Sequence, residues 1–299
     1  MKTKADLSQK MIALVAILLF ITLRSFGQTD QNNTTKVDSG YAPVNGLKMY
    51  YEIYGNGEPL VLIHGGLGAI EMFAPILPTL SQNHKVIAVD LQAHGRTADI
   101  DRPLRFDLMA DDIAALLKYL KIDKADVMGY SVGGEVALRS AIQHPEVVRK
   151  LVVVSAAFKR DGWYPENIAG MSQMGPAAAE AMKQTPMYQL YSQLAPRQQD
   201  WSVLFTKLGD LGKQDYDWSA EVKNIKIPTL IVVGDADAVR TAHAVEFFGL
   251  FGGGQRDGGW DGSGRPKNCE LAILPGLTHY TIFNSPALAS TAISFLDKN

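Results

Sequence analysis

From Pro59 onward the chain alternates short, unbroken apolar runs with longer stretches whose apolar residues recur at helical spacing, and few architectures can satisfy that pattern. Pro59 to Ile63, Lys85 to Val89, Asp126 to Gly129, Leu151 to Ser155, Thr229 to Val233 and Leu271 to Leu274 are bounded by turn residues, as strands buried on both faces are. Phe106 to Leu120, Val132 to Gln143 and Pro286 to Leu296 lie between or after them and read as helices. This order predicts an α/β fold: a mostly parallel sheet with helices on both faces. Ahead of it, Val44-Asn45-Gly46-Leu47 is a turn signal, so folding is expected to start near Tyr41 with a hairpin reaching Tyr54. With 46% hydrophobic residues among 299, the chain can bury the core such a sheet needs.

Two segments break the alternation. Arg160 to Val222 has helical stretches and no strand pattern, and holds Met171, Met174, Met182, Met187, Trp163, Tyr188, Tyr191 and Trp201. It is expected to be a helical cap inserted at about 160–222 over the C-terminal edge of the sheet, its apolar residues serving as its own core or lining a pocket. Gly249 to Gly264 has eight glycines in sixteen residues and reads as loop. Gly252 to Asp257 has the outline of one calcium-binding glycine/aspartate repeat. Its fourth position is Gln255, however, and such repeats need about three stacked copies, so no metal is assigned to it.

The N-terminus reads as a targeting segment. Lys2, Lys4 and Lys10 precede the 13-residue apolar run Met11 to Leu23, which matches a secretory h-region better than the roughly 20 residues of a spanning helix. Ser25-Phe26-Gly27 supplies small residues at the spacing a signal peptidase reads, so residues 1–27 are expected to be a signal peptide cleaved after Gly27. The protein is then exported, periplasmic or secreted, with no stable membrane span after cleavage. Cleavage removes four basic residues and one acidic one, taking the net charge from −2 to −5. Residues 28–40 are polar and without period, a disordered lead-in to a domain at 41–299. With Lys and Arg at 29 against 31 for Asp and Glu, the broad basic surface of a nucleic-acid binder is absent. One cysteine, Cys269, excludes an intrachain disulfide and a cysteine-based zinc site.

The chemistry is carried by Gly129-Tyr130-Ser131-Val132-Gly133, placed between a predicted strand and a predicted helix. A sharp turn there presents Ser131 at the sheet edge, and neighbours without side chains let strand and helix cross closely. An alcohol is a poor nucleophile near neutral pH, so it needs a base, and the base needs a carboxylate to orient it. Of the six histidines, His279 sits just after the last strand, in a loop returning to the same edge. His243, within the helix after Val239, is the reserve. Gly234-Asp235-Ala236-Asp237 follows the fifth of the runs and offers two acids. Asp237 is preferred because a residue further from the strand end has room to reach under an imidazole, while Asp235 can cap the turn. The oxyanion of a tetrahedral intermediate needs backbone donors: Val132 N–H at a helix start, and Gly66 N–H within His64-Gly65-Gly66-Leu67-Gly68.

In this order, the hairpin, His64-Gly65-Gly66, Asp90 to Thr97, Gly129 to Gly134, Gly234 to Asp237 and Gly276 to His279, the sequence resembles the α/β-hydrolase family from about Tyr41 to Asn299. The resemblance implies that fold and a chain order of nucleophile Ser131, acid Asp237 and base His279. In Asp90-Leu91-Gln92-Ala93-His94-Gly95-Arg96-Thr97 the residues Ala93 and Thr97 depart from the family's more usual Asp-x-x-Gly-x-Gly-x-Ser, and His94 occupies one of its free positions. That loop usually supports the fold, so Asp90, His94 and Arg96 are expected to be structural. Epoxide hydrolases and dehalogenases of the family use an aspartate where this chain has Ser131, which disfavours them. The expected reaction is hydrolysis of a small carboxylic ester through an acyl-enzyme, a carboxylesterase-like activity on a small-molecule substrate requiring no metal or organic cofactor. Lactonase, carbon–carbon-bond hydrolase, thioesterase and aminopeptidase readings use the same triad, a non-catalytic ligand-binding protein is the reading from another class, and oligomeric state is left open.

Overall fold

The structure is a computed structural model that describes residues 36–298; the expected leader at 1–27 and most of the lead-in lie outside the described residues. The rest of that lead-in is not a loop. Lys36 to Gly40 form the first half of β1 (Lys36–Val44), which pairs antiparallel with β2 (Leu47–Tyr54). Main-chain pairing suffices to hold an edge strand whose side chains face solvent, so apolar periodicity does not mark it. Asn45 and Gly46, both at positive φ (45° and 87°), close the two-residue turn.

The sheet continues with β3 (Glu58–Ile63), β4 (His84–Val89), β5 (Ala125–Tyr130), β6 (Val148–Val154), β7 (Thr229–Ala236) and β8 (Cys269–Thr278), in spatial order β1-β2-β4-β3-β5-β6-β7-β8. β2 runs antiparallel to both its neighbours, and β3 to β8 are mutually parallel. Because side chains alternate across a strand, Val127, Val153, Ile231 and Val233 join one core cluster while Met128, Val152, Val154, Leu230 and Val232 join the other. The helices α1 (Leu77–Leu80), α2 (Phe106–Tyr119) and α3 (Val132–Gln143) follow β3, β4 and β5 in turn. α2 and α3 cover the first face through Met109, Ile113, Val136 and Ala137, whereas α1 contributes Leu77 and Leu80 to the second.

Residues 160–222 are helical, with α4 (Pro165–Ser172), α5 (Pro176–Ala181), α6 (Pro186–Leu194), α7 (Trp201–Lys213) and α8 (Ser219–Val222). Pro opens three of them at N1, where its missing N–H has no helical partner to lose. Trp201, Leu204, Phe205 and Leu208 of α7 are buried in the same cluster as the first sheet face rather than in a core of their own. Lys207 ties α7 down: its ammonium donates to the Asp99 carboxylate at 2.7 and 2.8 Å and to the carbonyls of Ile100 and Arg102.

Several boundaries differ from the sequence expectation, among them a β6 that begins three residues early at Val148 and a β7 that runs three residues further, to Ala236. α9 (Thr241–Leu250) absorbs the first two residues of the glycine-rich stretch. β6 stops at Val154, because Ser155 takes φ 50°. β8 runs on to Thr278 across an irregular register with β7, so His279 opens α10 (His279–Ile282) instead of sitting in a loop. The Thr278–Thr281 capping box explains that start. α11 (Pro286–Leu296) closes the second face through Leu288, Ala292 and Phe295.

Candidate active site

Ser131 stands alone between the end of β5 and the start of α3, at φ 55° and ψ −127°, a left-handed conformation rare for a residue with a side chain. Its neighbours make the turn possible. A Cβ on Gly129 would lie 1.9 Å from the Gly133 carbonyl oxygen, and one on Gly133 would lie 2.3 Å from that of Ile63. The Ser131 N–H donates to Val154 O at 2.9 Å, tying the elbow to β6 and leaving the side chain half-buried at the sheet edge.

Two other expected residues meet it there. His279 Nε2 is 3.1 Å from Ser131 Oγ, and His279 Nδ1 is 2.9 Å from Asp237 Oδ1. An ionised carboxylate only accepts, so Nδ1 carries the proton toward Asp237 and Nε2 presents a lone pair to the hydroxyl. Burial opposes the charge on Asp237, but donation from His279, the Ser155 hydroxyl and the Gly234 N–H outweighs it and holds the carboxyl below its ordinary range. Asp235 is elsewhere: its carboxylate takes the Gly276 N–H at 2.9 Å, fixing the turn in β8. The irregular β7–β8 register between Gly234 and Ala236 sets which of the two acids points under the imidazole.

The reserve base does not reach the site. His243 is buried against the Phe158 ring, 4.2 Å between centroids, and its Nε2 accepts the Phe158 N–H at 3.2 Å. Burial holds it neutral, its pKa pushed down to about 4.

Gly66 and Val132 adjoin: a Cβ on Gly66 would be 3.5 Å from Val132 Cγ2. Val132 is the first residue of α3, whose leading N–H groups have no partner within the helix. Gly65 has no room for a side chain, since its Cβ would meet the Tyr130 ring at 2.8 Å and Ser131 Cβ at 3.1 Å. The loop from Asp90 supports this corner. Asp90 accepts the N–H groups of Ile70 (3.0 Å) and Arg96 (2.8 Å), and His94 donates through Nδ1 to Gln92 O at 2.9 Å. Ala93, where the family usually has glycine, adopts φ 66°, the reason glycine is the common choice.

Sequence reasoning missed two contributors. The Tyr130 hydroxyl donates to the His279 carbonyl at 2.7 Å, and Ser155 donates to Asp237 from its left-handed turn. Tyr130 occupies a freely variable position of the pentapeptide, and Ser155 read as the last residue of a strand, so neither carried a signal. Among the described residues no group of three or more His, Cys, Asp or Glu is placed to hold a metal ion.

A family model described as alpha/beta hydrolase fold matches residues 58–266. The chain is 34% identical over 124 residues to a soluble epoxide hydrolase of Corynebacterium sp., covering 40% of this chain and 42% of that one. It is 28% identical over 215 residues to the AB hydrolase superfamily protein YisY of Bacillus subtilis, covering 64% and 79%. The chain thus spans under half the length of the first of these curated relatives. Among solved structures, the carboxylesterase CesB of Bacillus subtilis superposes with a TM-score of 0.66 at 17% identity, covering 99% of each chain.

Proposed function

Because this chain belongs to the α/β-hydrolase family, we propose that it is a serine hydrolase that cleaves a small carboxylic ester through an acyl-enzyme. The observation that carries the reading is the continuous relay from Asp237 Oδ1 through both nitrogens of His279 to Ser131 Oγ, at 2.9 and 3.1 Å. In the proposed reaction His279 Nε2 takes the hydroxyl proton as Ser131 Oγ attacks the carbonyl carbon. Negative charge collects on the former carbonyl oxygen, facing the N–H groups of Gly66 and Val132, each of which is worth about 10²- to 10³-fold in rate. The imidazolium then protonates the departing alcohol, and a water deprotonated by the same nitrogen hydrolyses the acyl-enzyme. Asp237 keeps the Nδ1 proton in place throughout. A serine at the elbow supports ester chemistry over the epoxide opening named for the Corynebacterium relative, and buried Leu208 and Trp163 near the site favour an uncharged substrate.

The test is covalent labelling with a fluorophosphonate probe alongside hydrolysis of short aryl esters. Wild type is expected to be labelled and active, and Ser131→Ala to lose both. An unlabelled, inactive wild type, or a Ser131→Ala variant with full activity, would overturn the reading.

A further inference from the structure

One carboxyl near the site has no part in the relay. Glu135 lies one turn of α3 beyond Ser131 and is almost fully buried. Its Oε1 accepts both the indole N–H of Trp163, at 3.1 Å, and the hydroxyl of Tyr216. Burial pushes its pKa up to about 7 against these two hydrogen bonds. Replacing such a carboxyl together with both its donors by apolar groups of the same shape can be nearly neutral, so stability alone does not account for the arrangement.

Its two partners lie where the helical insertion leaves the sheet and returns. Those crossings are paired: Arg160 N–H donates to Tyr216 O at 3.0 Å, and Trp218 N–H donates to Phe158 O at 2.9 Å. The outgoing segment then runs against the residues that follow Asp237, through a bridge from Trp163 to Val239 and through Tyr164 N–H to Ala238 O at 3.2 Å. Trp163 is therefore held at its backbone beside the acid and at its indole nitrogen by Glu135. What remains free is the ring, and it packs edge-on to the imidazole of His279, 5.3 Å between centroids and 73° between planes. The Tyr130 ring is 5.1 Å from the same imidazole.

We propose that Trp163 is a positioning residue for the imidazole of His279, and that buried Glu135 sets the place of its indole. This role rests on the serine-hydrolase reading. An imidazole held only by Asp237 can still swing about that hydrogen bond, whereas rings packed against it restrict the swing and keep Nε2 on the hydroxyl. Misplacement by an ångström at this step costs as much as about 10²-fold.

The full chain is labelled with a fluorophosphonate, measuring the rate at saturating probe and the half-saturating concentration separately, for wild type, Trp163→Phe, Glu135→Ala, Glu135→Gln and the Trp163→Phe/Glu135→Ala double variant. Trp163→Phe and Glu135→Ala are each expected to slow the saturated rate by about tenfold with little change in half-saturation. The double variant is expected to be no slower than the slower single one, because both remove the same hydrogen bond. Glu135→Gln, whose amide oxygen still accepts, recovers most of the rate. Saturated rates at the wild-type level in Trp163→Phe, or effects that multiply in the double variant, would overturn the proposal; a Glu135→Gln variant as slow as Glu135→Ala would overturn the part given to Glu135. If Glu135→Ala does not fold, Trp163→Phe alone decides, since it keeps a ring and loses one N–H. An unlabelled wild type would overturn the hydrolase reading and this role with it; a labelled wild type with indifferent variants would overturn only the role.

Discussion

At Asp237 the carboxylate accepts from His279, Gly234, Val239 and Ser155, so both its oxygens are committed. Asn at this position would turn an NH₂ toward one of these donors and favour the wrong imidazole tautomer. Asp237→Asn is thus expected to depress turnover far more than Asp235→Asn, whose amide oxygen can still accept the Gly276 N–H; steady-state kinetics on an aryl ester rank the two. His279→Ala is expected to lower turnover by about 10³-fold or more with an unchanged circular-dichroism spectrum. The preference for Asp237 was legible in the sequence as distance from the strand end. The contributions of Ser155 and Trp163 were not, because a serine ending an apolar run and a tryptophan opening a helical stretch look the same whether or not a catalytic group lies beside them.

The elements divide in how openly they announce themselves. β3 to β7 and α2, α3 and α11 stand close to their expected ranges, since burial on both faces or along one stripe writes a period into the residues. The edge strand β1 and the far end of β8 depend on main-chain pairing, which leaves no such period. Within the insertion, α7 approaches the α4–α5 connection at Gly209, where a Cβ would sit 2.1 Å from Met174 O. Gly209→Ala gains about 1 kcal/mol of helix propensity but drives a methyl into backbone, and the clash, at about 1–3 kcal/mol, wins. Limited proteolysis should then cut first within residues 165–200 while the sheet domain persists; protection equal to wild type would show that α7 can shift without loosening its neighbours.

For the molecule as a whole, acid is expected to weaken the fold through its buried imidazoles. Burial lowers His64 to about 3 and His94 and His243 to about 4, from an ordinary 6.5, so the folded state refuses protons that the unfolded chain takes. Their stabilisation is complete above pH 6.5 and drains away as pH falls toward 4. Asp90, raised to about 6 chiefly by burial, and Glu135, raised to about 7, act with opposite sign, costing stability as pH rises from about 4 toward those values. The imidazole shifts are larger together, so the urea midpoint should drop between pH 6.5 and 4.5, and a rise there would refute the balance. What the residues alone determined is the layered sheet and the serine elbow, because strand burial and glycine crossings are local demands repeated along the chain; the order Ser131, Asp237, His279 was an implication of the family resemblance. The residues favoured His279 over His243 and Asp237 over Asp235, but only the tertiary structure brings His279 within hydrogen-bond reach of both Ser131 and Asp237 and decides what packs against them. Those contacts join residues 42 and 148 positions apart, and they turn on a slip in the β7–β8 register and on how the insertion folds back, neither of which any local pattern encodes.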